Sequence, residues 1–409
     1  MALTAGVRLV VLGAPASPID DDATVVTAAL AAAGVGLESR TVVDEDETAL
    51  ERSLTPSAPL TIIVTGPTDI ARRVLARATG TRLVLNDKML AALEELHRRR
   101  DRPLPRRDER LALLPQGATV WATVDGEPGW MLDTDAAAWV VLPRGGLTAA
   151  TTTLLTDVAR AHAGRGAAAA MRTLKTAGVS LADVEERLAP WLGPAESGSD
   201  ASVSVATVDG EVSIRLRARG VSPEAAAQTL AALEERIAEV LGEDCYGRDG
   251  ETLEQAVGRR LLARGFTLAL AESCTGGLVG HRLTNIPGSS AFFERGMVVY
   301  SNRAKEELLG VPSEVLRVHG AVSRPCAEAM VRGACARSGA QCGLAITGIA
   351  GPDGGTPTKP VGTVFIGVAV AGAVEARQFR FAGGRSSVKW QSSQMALDML
   401  RRRLAEPSA

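Results

Sequence analysis

The chain has 409 residues, 46% of them hydrophobic and only 3% aromatic, with a formal net charge of -2. A prior of about 100 to 200 residues per domain predicts two or three domains. The balanced charge excludes the basic footprint of a nucleic-acid-binding protein, and no run approaches the ~18 apolar residues of a membrane helix. Because the amino terminus also lacks the zones of a signal peptide, we expect a cytoplasmic protein with neither a nucleic-acid nor a membrane partner.

The first 165 residues alternate between strand-like and helix-like runs. Strands are predicted at 7–12, 60–65 and 139–142, and helices at 23–33 and 88–99. Strands that alternate with helices favour a parallel sheet with helices on both faces. This pattern predicts a three-layer α/β domain over residues 1–165.

Two charged clusters in this region allow a functional and a structural interpretation. Asp20, Asp21 and Asp22 could hold a metal, but an acidic first turn of a helix is the commoner role of such a run. The arginines from Arg98 to Arg107 could grip a phosphate, but a solvated helix end balanced by nearby acids is favoured. Five cysteines without C-x-x-C spacing and four isolated histidines lead us to expect no metal site, no disulfide framework and no cofactor.

The middle of the chain predicts a smaller α+β unit over residues 168–246. An alanine-rich stretch at 151–175 indicates helix, and the composition of 193–200 indicates a loop or linker. Asp209 and Gly210 form a strong hairpin signal. Around and after them we predict strands at 201–206 and 212–216 and a helix at 223–241. The unit carries no catalytic constellation, so we expect a spacer or a dimerisation element.

The segment 271–277, AESCTGG, is the most informative part of the chain. It follows the apolar run 266–270 and precedes a helical stretch, which predicts a strand, a sharp turn and a helix. Such a turn sets the Ser273 hydroxyl at a strand end, and its glycines let backbone N–H groups converge on an anion. Ser273 is therefore a candidate nucleophile, whereas the alternative is a helix cap formed by Ser273 or Thr275. We expect Cys274 to be a buried, inert thiol.

A second segment, residues 297–305, adds a candidate base. It predicts a strand whose exit is capped by Ser301 or Asn302 and a helix that carries Lys305 near its start. An ammonium close to the positive end of the helix macrodipole is disfavoured by up to about 1 kcal/mol, which favours the neutral amine. A lysine with a lowered pKa can activate a serine hydroxyl, and the alternative is a solvated surface lysine.

A third segment runs from a buried strand into a loop dense in glycine, at residues 344–356. Glycine permits positive φ and a close approach of backbone to a ligand. A simple hairpin connection would use the same residues, so the loop alone is weak evidence for a binding site. The following run, 360–367, begins the next strand and is interpreted as structural.

Several segments in the last third, in this order along the chain, resemble the carboxy-terminal domain of the CinA family, the nicotinamide mononucleotide amidohydrolases. They are residues 271–277, 299–305, 319–323, 347–352 and 359–364. The similarity covers about residues 250–405 and implies an α/β amidohydrolase domain there.

The resemblance implies hydrolysis of the carboxamide of nicotinamide mononucleotide to nicotinate mononucleotide and ammonia. Under this hypothesis Ser273 attacks the amide, Lys305 exchanges the proton, and Tyr300 and Thr347 orient the carboxamide or the pair. The residues expected to bind the substrate are Thr275, Gly276, Gly277, Asn302, Gly348, Gly351, Gly354 and Gly355. Which turn holds the oxyanion and which the 5′-phosphate stays open. Relatives are usually dimers, so a homodimer is expected.

Full-length members of the family carry a molybdopterin-biosynthesis-like amino-terminal domain with nucleotide pyrophosphatase activity, but its motifs are altered here. A Gly-Thr-Glu motif is replaced by 13–16, GAPA, a longer glycine loop is shortened to 65–69, and a Gly-Pro-Pro turn is replaced by 143–146. Fewer N–H groups for phosphate and a missing carboxylate near Ala14 lead us to expect a scaffold without that activity.

The middle unit resembles the KH-type segment of full-length relatives, but it lacks the Gly-x-x-Gly clamp with basic flanks that RNA binding requires. Three hypotheses therefore stay open for the whole protein. The first is an amidohydrolase, the second a nucleotide-binding regulatory protein without chemistry, and the third a pyrophosphatase acting through the amino-terminal domain. The second is suggested by residues 385–391, which hold less arginine than relatives usually do.

Overall fold

The structure is a computed structural model. It describes residues 7–13, 22–32, 35–54, 58–66, 68–121, 128–144, 147–162, 168–192, 200–208, 211–220 and 222–405. Backbone contacts divide the chain into two compact units. The first comprises 1–172, 195–202 and 217–233, and the second comprises 173–194, 203–216 and 234–409.

The amino-terminal part alternates strands and helices as predicted. Its elements are β1 (Val7–Leu12), α1 (Asp22–Ala32), β2 (Leu37–Val43), α2 (Glu47–Ser53), β3 (Leu60–Thr65), α3 (Ile70–Thr79), β4 (Leu83–Leu85), α4 (Asp87–Arg99), β5 (Leu113–Pro115), β6 (Thr119–Trp121), β7 (Gly129–Asp133), β8 (Ala138–Pro143) and α5 (Ala149–His162). The bounds of β1 and β3 are those predicted from their apolar runs.

Six of these strands form one sheet, in the order β2-β1-β3-β8-β7-β6. The first four are parallel to one another, whereas β7 and β6 are antiparallel additions. Along β1, Leu9 and Val11 pack into one buried cluster, while Val10 and Leu12 pack into another. Because alternate residues of a strand point to opposite faces, both faces of the sheet are covered. The α/β prediction is confirmed, with an antiparallel edge that the sequence pattern did not show.

The next elements are β9 (Ala168–Thr176), α6 (Leu181–Leu188), β10 (Ala201–Val208), β11 (Glu211–Gly220), α7 (Pro223–Leu241) and β12 (Cys245–Arg248). The four strands form a sheet in the order β10-β11-β9-β12. The predicted hairpin strands and the bounds of α7 are confirmed. The turn residues Asp209 and Gly210 and the linker 193–199 lie outside the described residues.

The helix predicted over 151–175 is wrong in its second half. Helix α5 ends at His162, and β9 begins at Ala168. β9 pairs antiparallel with β12, with Thr176 opposite Cys245. The pairing with a distant strand outweighs the helix preference of the alanines, which is a weak local effect.

The carboxy-terminal part continues with α8 (Leu253–Arg264), β13 (Leu268–Glu272), α9 (Leu278–Thr284), β14 (Phe293–Val298), α10 (Asn302–Leu309), α11 (Ser313–His319), α12 (Arg324–Ser338), β15 (Cys342–Gly348), β16 (Thr363–Val370), β17 (Ala373–Arg380) and α13 (Arg385–Arg403). Its sheet has the order β14-β13-β15-β16-β17. β13 is parallel to both of its neighbours, and β15, β16 and β17 follow in antiparallel pairs.

Small residues allow this sheet to pack close to α12. A β-carbon placed on Gly367 would lie 2.8 Å from the carbonyl oxygen of Ala327, so a side chain there would push the helix away. On β13, Leu268 and Leu270 pack into one buried cluster, whereas Ala269 and Ala271 pack into the cluster that includes α12 residues. The sheet is thus covered on both faces, and β13 lies fully buried in it. No helix of the described residues is long and apolar enough to cross a membrane.

Candidate active site

Ser273 stands at the carboxyl end of the interior strand β13. Its backbone N–H donates to the carbonyl oxygen of Ile346 at 2.9 Å, which extends the pairing of β13 with β15 by one residue. The residue is 8% exposed, so its hydroxyl lies just below the surface. The carboxyl ends of parallel strands meet at one edge of a sheet, which is where α/β proteins commonly place their sites.

Lys305 reaches Ser273 from helix α10. The Ser301 hydroxyl caps this helix by accepting a hydrogen bond from the N–H of Ala304 at 3.0 Å, so Ser301 and not Asn302 is the cap. Lys305 is only 1% exposed. Its Nζ lies 3.1 Å from the Oγ of Ser273. The alternative of a solvated surface lysine is therefore wrong.

Two backbone carbonyls hold the Lys305 amine. Nζ donates to the carbonyl oxygen of Val299 at 2.8 Å and to that of Tyr300 at 3.3 Å. Burial lowers the pKa of Lys305, and the Cys326 and Cys274 thiols oppose this only weakly. The sequence predicted a lowered pKa from the helix dipole, but removal of the ammonium from water is the largest cause.

The Cys274 thiol, next to Ser273, is buried as predicted. Cys274 is buried, and burial raises the pKa of its thiol to about 11. Burial likewise raises the pKa of Cys326 to about 11. Since the thiolate is the reactive form of cysteine, neither side chain competes with Ser273 at neutral pH.

The Glu272 side chain accepts a hydrogen bond from the Gly277 N–H, a donor that the sequence analysis assigned to the substrate. Its buried carboxylate accepts hydrogen bonds from the backbone N–H groups of Gly277 at 3.0 Å, Val279 at 3.2 Å and Gly280 at 2.9 Å. The start of α9 is thus capped internally by an acidic side chain, which the helix dipole favours. The prediction that the Gly277 N–H is free for substrate needs correction for this reason.

The turn between β13 and α9 leaves other donors open. Among the described residues, the backbone N–H groups of Cys274 and Thr275 donate to no backbone carbonyl oxygen, and the buried Thr275 hydroxyl has no hydrogen-bond partner. Gly276 is exposed with φ of 62°, and its N–H donates to the carbonyl oxygen of Ser273 at 3.1 Å. The free backbone donors therefore follow directly after the nucleophile instead of lying at Gly276 and Gly277.

The other predicted site residues differ in their surroundings. Tyr300 is 62% exposed, and its hydroxyl accepts a hydrogen bond from Arg385 at 3.1 Å. Thr347 is buried at the end of β15, and its hydroxyl donates to the carbonyl oxygen of Ala321 at 2.8 Å, so it can offer a ligand only an acceptor. Asn302 is exposed at the first position of α10.

The glycine loop after β15 is a hairpin connection, because β15 and β16 are antiparallel neighbours. β-Carbons on Gly348 and Gly351 would lie 2.7 Å from methyl groups of Val364 and Val361, and one on Gly355 would lie 2.9 Å from the Val361 nitrogen. Packing therefore accounts for these three glycines. Gly354, exposed with φ of 88°, is not constrained in this way, because a β-carbon there would meet only a methyl group of Ile349, at 3.6 Å.

Sequence reasoning missed two cations on α13. Arg385 donates to the carbonyl oxygen of Gly351 at 2.8 Å and to the Tyr300 hydroxyl. Lys389 is half-buried, and a β-carbon placed on Gly276 would lie 3.8 Å from its Nζ. Their spacing of four residues puts them on one face of the helix, which was the available signal.

The amino-terminal sheet has its own cluster at the strand ends. β-Carbons on Gly13 and Gly66 would lie 3.5 and 3.6 Å from the Glu45 carboxylate oxygens, so the connection between β2 and α2 supplies a carboxylate where the altered motif suggested a loss. Arg144 donates to the carbonyl oxygens of Leu12 and Gly13 at 2.5 and 2.9 Å. Residues 14–16, 67 and 145–146 of the altered motifs lie outside the described residues.

The described residues of the two charged clusters, the aspartates at 20–22 and the arginines from Arg98, lie at helix ends, as the structural interpretation predicted. Asp22 is the first residue of α1, while Asp20 and Asp21 lie outside the described residues. Arg98 and Arg99 both pair with Glu95, at 2.6 and 2.7 Å, on an exposed helix surface. Within the described ranges, no three His, Cys, Asp or Glu side chains come together as a metal site would require.

The fold and the site define a multidomain α/β protein with a buried serine–lysine pair at a sheet edge. Residues 250–404 match the family model of the CinA C-terminal domain, and residues 171–247 match that of the damage-inducible protein CinA KH domain. The chain belongs to the CinA family.

Relatives extend over almost the whole chain. A competence-damage inducible protein from Moorella thermoacetica is 40% identical over 386 residues, which is 92% of either chain. A CinA-like protein from Geobacter sulfurreducens is 39% identical over 398 residues, covering 94% of this chain and 95% of its own length.

Solved structures of smaller proteins match as well. A CinA superfamily protein from Klebsiella pneumoniae is 39% identical, covers 37% of this chain and 96% of that chain, and has a TM-score of 0.37. The competence/damage inducible protein CihA from Agrobacterium tumefaciens is 41% identical, covers 38% of this chain and 98% of that chain, and has a TM-score of 0.36.

Proposed function

We propose that the protein hydrolyses the carboxamide of nicotinamide mononucleotide to nicotinate mononucleotide and ammonia, with Ser273 as nucleophile and Lys305 as base. The substrate comes from the family resemblance of the site segments. The chemistry rests on one observation: the Nζ of a buried Lys305 lies 3.1 Å from the Oγ of Ser273.

The two carbonyl contacts orient the amine for this role. Carbonyl oxygens only accept hydrogen bonds, so Val299 and Tyr300 use two of the N–H bonds of Lys305. In the neutral amine the remaining position is the lone pair, and it faces the Ser273 hydroxyl. Burial disfavours the ammonium form, and a neutral amine that points at a hydroxyl can take its proton.

The reaction then proceeds in two halves. Ser273 Oγ attacks the carboxamide carbon while its proton passes to Lys305, and the tetrahedral intermediate collapses as that proton leaves with ammonia. The C–N bond is broken and an ester to Ser273 remains. Water attacks the ester, Lys305 takes one water proton and returns it to the serine oxygen, and nicotinate mononucleotide departs.

The open backbone donors suit the developing negative charge. The N–H groups of Cys274 and Thr275 donate to no backbone carbonyl among the described residues, and they follow Ser273 directly along the chain. Donors of this kind stabilise an oxyanion because they are fixed before the reaction begins. In this assignment the turn after β13 forms the oxyanion hole, and the loop after β15 does not.

Trapping the ester tests the proposal. The full-length protein is mixed with nicotinamide mononucleotide, quenched in acid, digested and examined by mass spectrometry. We expect ammonia release and a nicotinate mononucleotide adduct on the peptide that contains Ser273, which the Ser273→Ala variant lacks. Ammonia release with the adduct on a different residue would contradict the nucleophile, and absence of ammonia release would contradict the activity.

A further inference from the structure

We infer that Lys389 and Arg385, on the first turns of α13, form the subsite for the 5′-phosphate of the substrate. This inference rests on the proposed function for the rest of the ligand. It decides a question that the glycine-rich turns leave open, namely which part of the site receives the anionic end of a mononucleotide.

Lys389 is a cation without a partner among the described residues, and it lies beside the turn between β13 and α9. Among the described residues it forms neither a hydrogen bond nor an ion pair, although it is half-buried. A β-carbon on Gly276 would lie 3.8 Å from its Nζ, so the amine is adjacent to the backbone three residues after Ser273. A partly desolvated cation is stabilised when an anion binds to it.

Arg385 lies one turn earlier on the same helix and contacts two other segments of the site, at Gly351 and Tyr300. Its guanidinium donates to the Gly351 carbonyl oxygen at 2.8 Å and to the Tyr300 hydroxyl at 3.1 Å. It forms no ion pair with a described carboxylate. A guanidinium has five N–H donors, so these two contacts leave others for a ligand. Positions four apart on a helix share one face, which places both cations on the same side of α13.

The charges around the turn favour an anionic ligand. Glu272, the acidic residue of the turn, is buried and committed to three backbone N–H groups. Arg385 and Lys389 supply positive charge around the same turn. Phosphate suits this set because lysine binds it as a point charge and arginine binds its oxygens through parallel donors.

The first experiment compares nicotinamide mononucleotide with nicotinamide riboside, which lacks the phosphate. We expect Lys389→Gln to reduce the preference in kcat/KM for the mononucleotide over the riboside by about 10- to 100-fold, the value of a charge-assisted hydrogen bond. Lys389→Arg should restore most of the preference. Lys88→Gln removes the same charge from an exposed position on α4 and should leave the preference as it is. An unchanged preference in Lys389→Gln would overturn the inference.

The second experiment separates this inference from the proposed activity. Calorimetry with ribose 5-phosphate, which has no amide, measures the subsite alone in the Ser273→Ala protein. We expect binding that Lys389→Gln weakens about 10- to 100-fold and Lys389→Arg retains. If the wild type released no ammonia but bound ribose 5-phosphate through Lys389, the proposed function would fail and the phosphate subsite would stand. Absent binding, or equal binding in both proteins, would refute the subsite.

Discussion

In each of the two large sheets, a basic side chain donates hydrogen bonds to backbone carbonyl oxygens near the ends of parallel strands, but the two side chains differ in chemistry. In the amino-terminal sheet, the Arg144 guanidinium donates to the carbonyl oxygens of Leu12 and Gly13. In the carboxy-terminal sheet, Lys305 donates to carbonyls of Val299 and Tyr300 and also faces the Ser273 hydroxyl. Arginine does not lose its proton in proteins, whereas a buried lysine can. The fold positions both groups, and the side chain decides whether a base results.

The largest effect is expected when this difference is removed. Lys305→Arg keeps the positive charge but eliminates the base, so ammonia release from nicotinamide mononucleotide should fall by about 10²- to 10⁴-fold. Lys359 is a matched control, since its Nζ also donates to two carbonyls, those of His319 at 3.1 Å and Val322 at 2.7 Å. Lys359→Arg should lose far less activity. Full activity in Lys305→Arg would reduce the lysine to an electrostatic role.

The cap formed by Glu272 should contribute measurably to stability. Glu272→Gln replaces one acceptor oxygen by a donor that faces backbone N–H groups, so the free energy of unfolding should fall by about 1–3 kcal/mol. Urea unfolding measures the change. Glu294→Gln, on an exposed residue of β14, is the control and should stay within about 0.5 kcal/mol of the wild type. Equal stabilities of the two variants would show that the cap is energetically minor.

The pH profile should report the buried amine. Burial lowers the pKa of Lys305 below its ordinary value of 10.5, and in the proposed mechanism the neutral amine is the base. kcat/KM should therefore rise with pH as Lys305 loses its proton, and it should level off at a pH below 10.5. A profile that falls across this range as pH increases would mean that the protonated lysine is the active form.

The smallest expected effect concerns the amino-terminal sheet. The full-length Ser273→Ala protein, which lacks the carboxy-terminal nucleophile, should show no ADP-ribose hydrolysis above the uncatalysed rate with magnesium, manganese or cobalt. The altered motifs at 13–16 and 65–69 motivate this expectation. Glu45, whose carboxylate lies near Gly13 and Gly66, is the residue to replace if cleavage is observed. Metal-dependent cleavage of ADP-ribose that Glu45→Gln abolishes would contradict the expectation and would show that the amino-terminal part has an activity of its own.

Local pattern predicted much of this molecule because several elements are determined by their own residues. The apolar runs of β1 and β3 and the helix α7 have the bounds that the sequence indicated. Strand β9 was missed, because its strand conformation depends on its neighbours β11 and β12, which lie much further along the chain.

The candidate site divides in the same way. Ser273 and Lys305 were each predicted as candidates because each stands between a strand exit and a helix, and their pairing came from the family resemblance. The capping role of Glu272 and the contacts of Arg385 and Lys389 were not predicted, since they depend on how α9 and α13 pack against the turns. The loop glycines at 348–355 were over-interpreted, because packing against Val361 and Val364 requires most of them.

The most direct test of the central claim compares two adjacent side chains. Ammonia release from nicotinamide mononucleotide is measured for Ser273→Ala and Cys274→Ala in parallel, with circular dichroism to verify the fold. We expect Ser273→Ala to lose at least about 10³-fold in kcat and Cys274→Ala, whose thiol is buried and protonated, to lose far less. Undiminished turnover in Ser273→Ala, or its loss in Cys274→Ala alone, would contradict the serine–lysine mechanism.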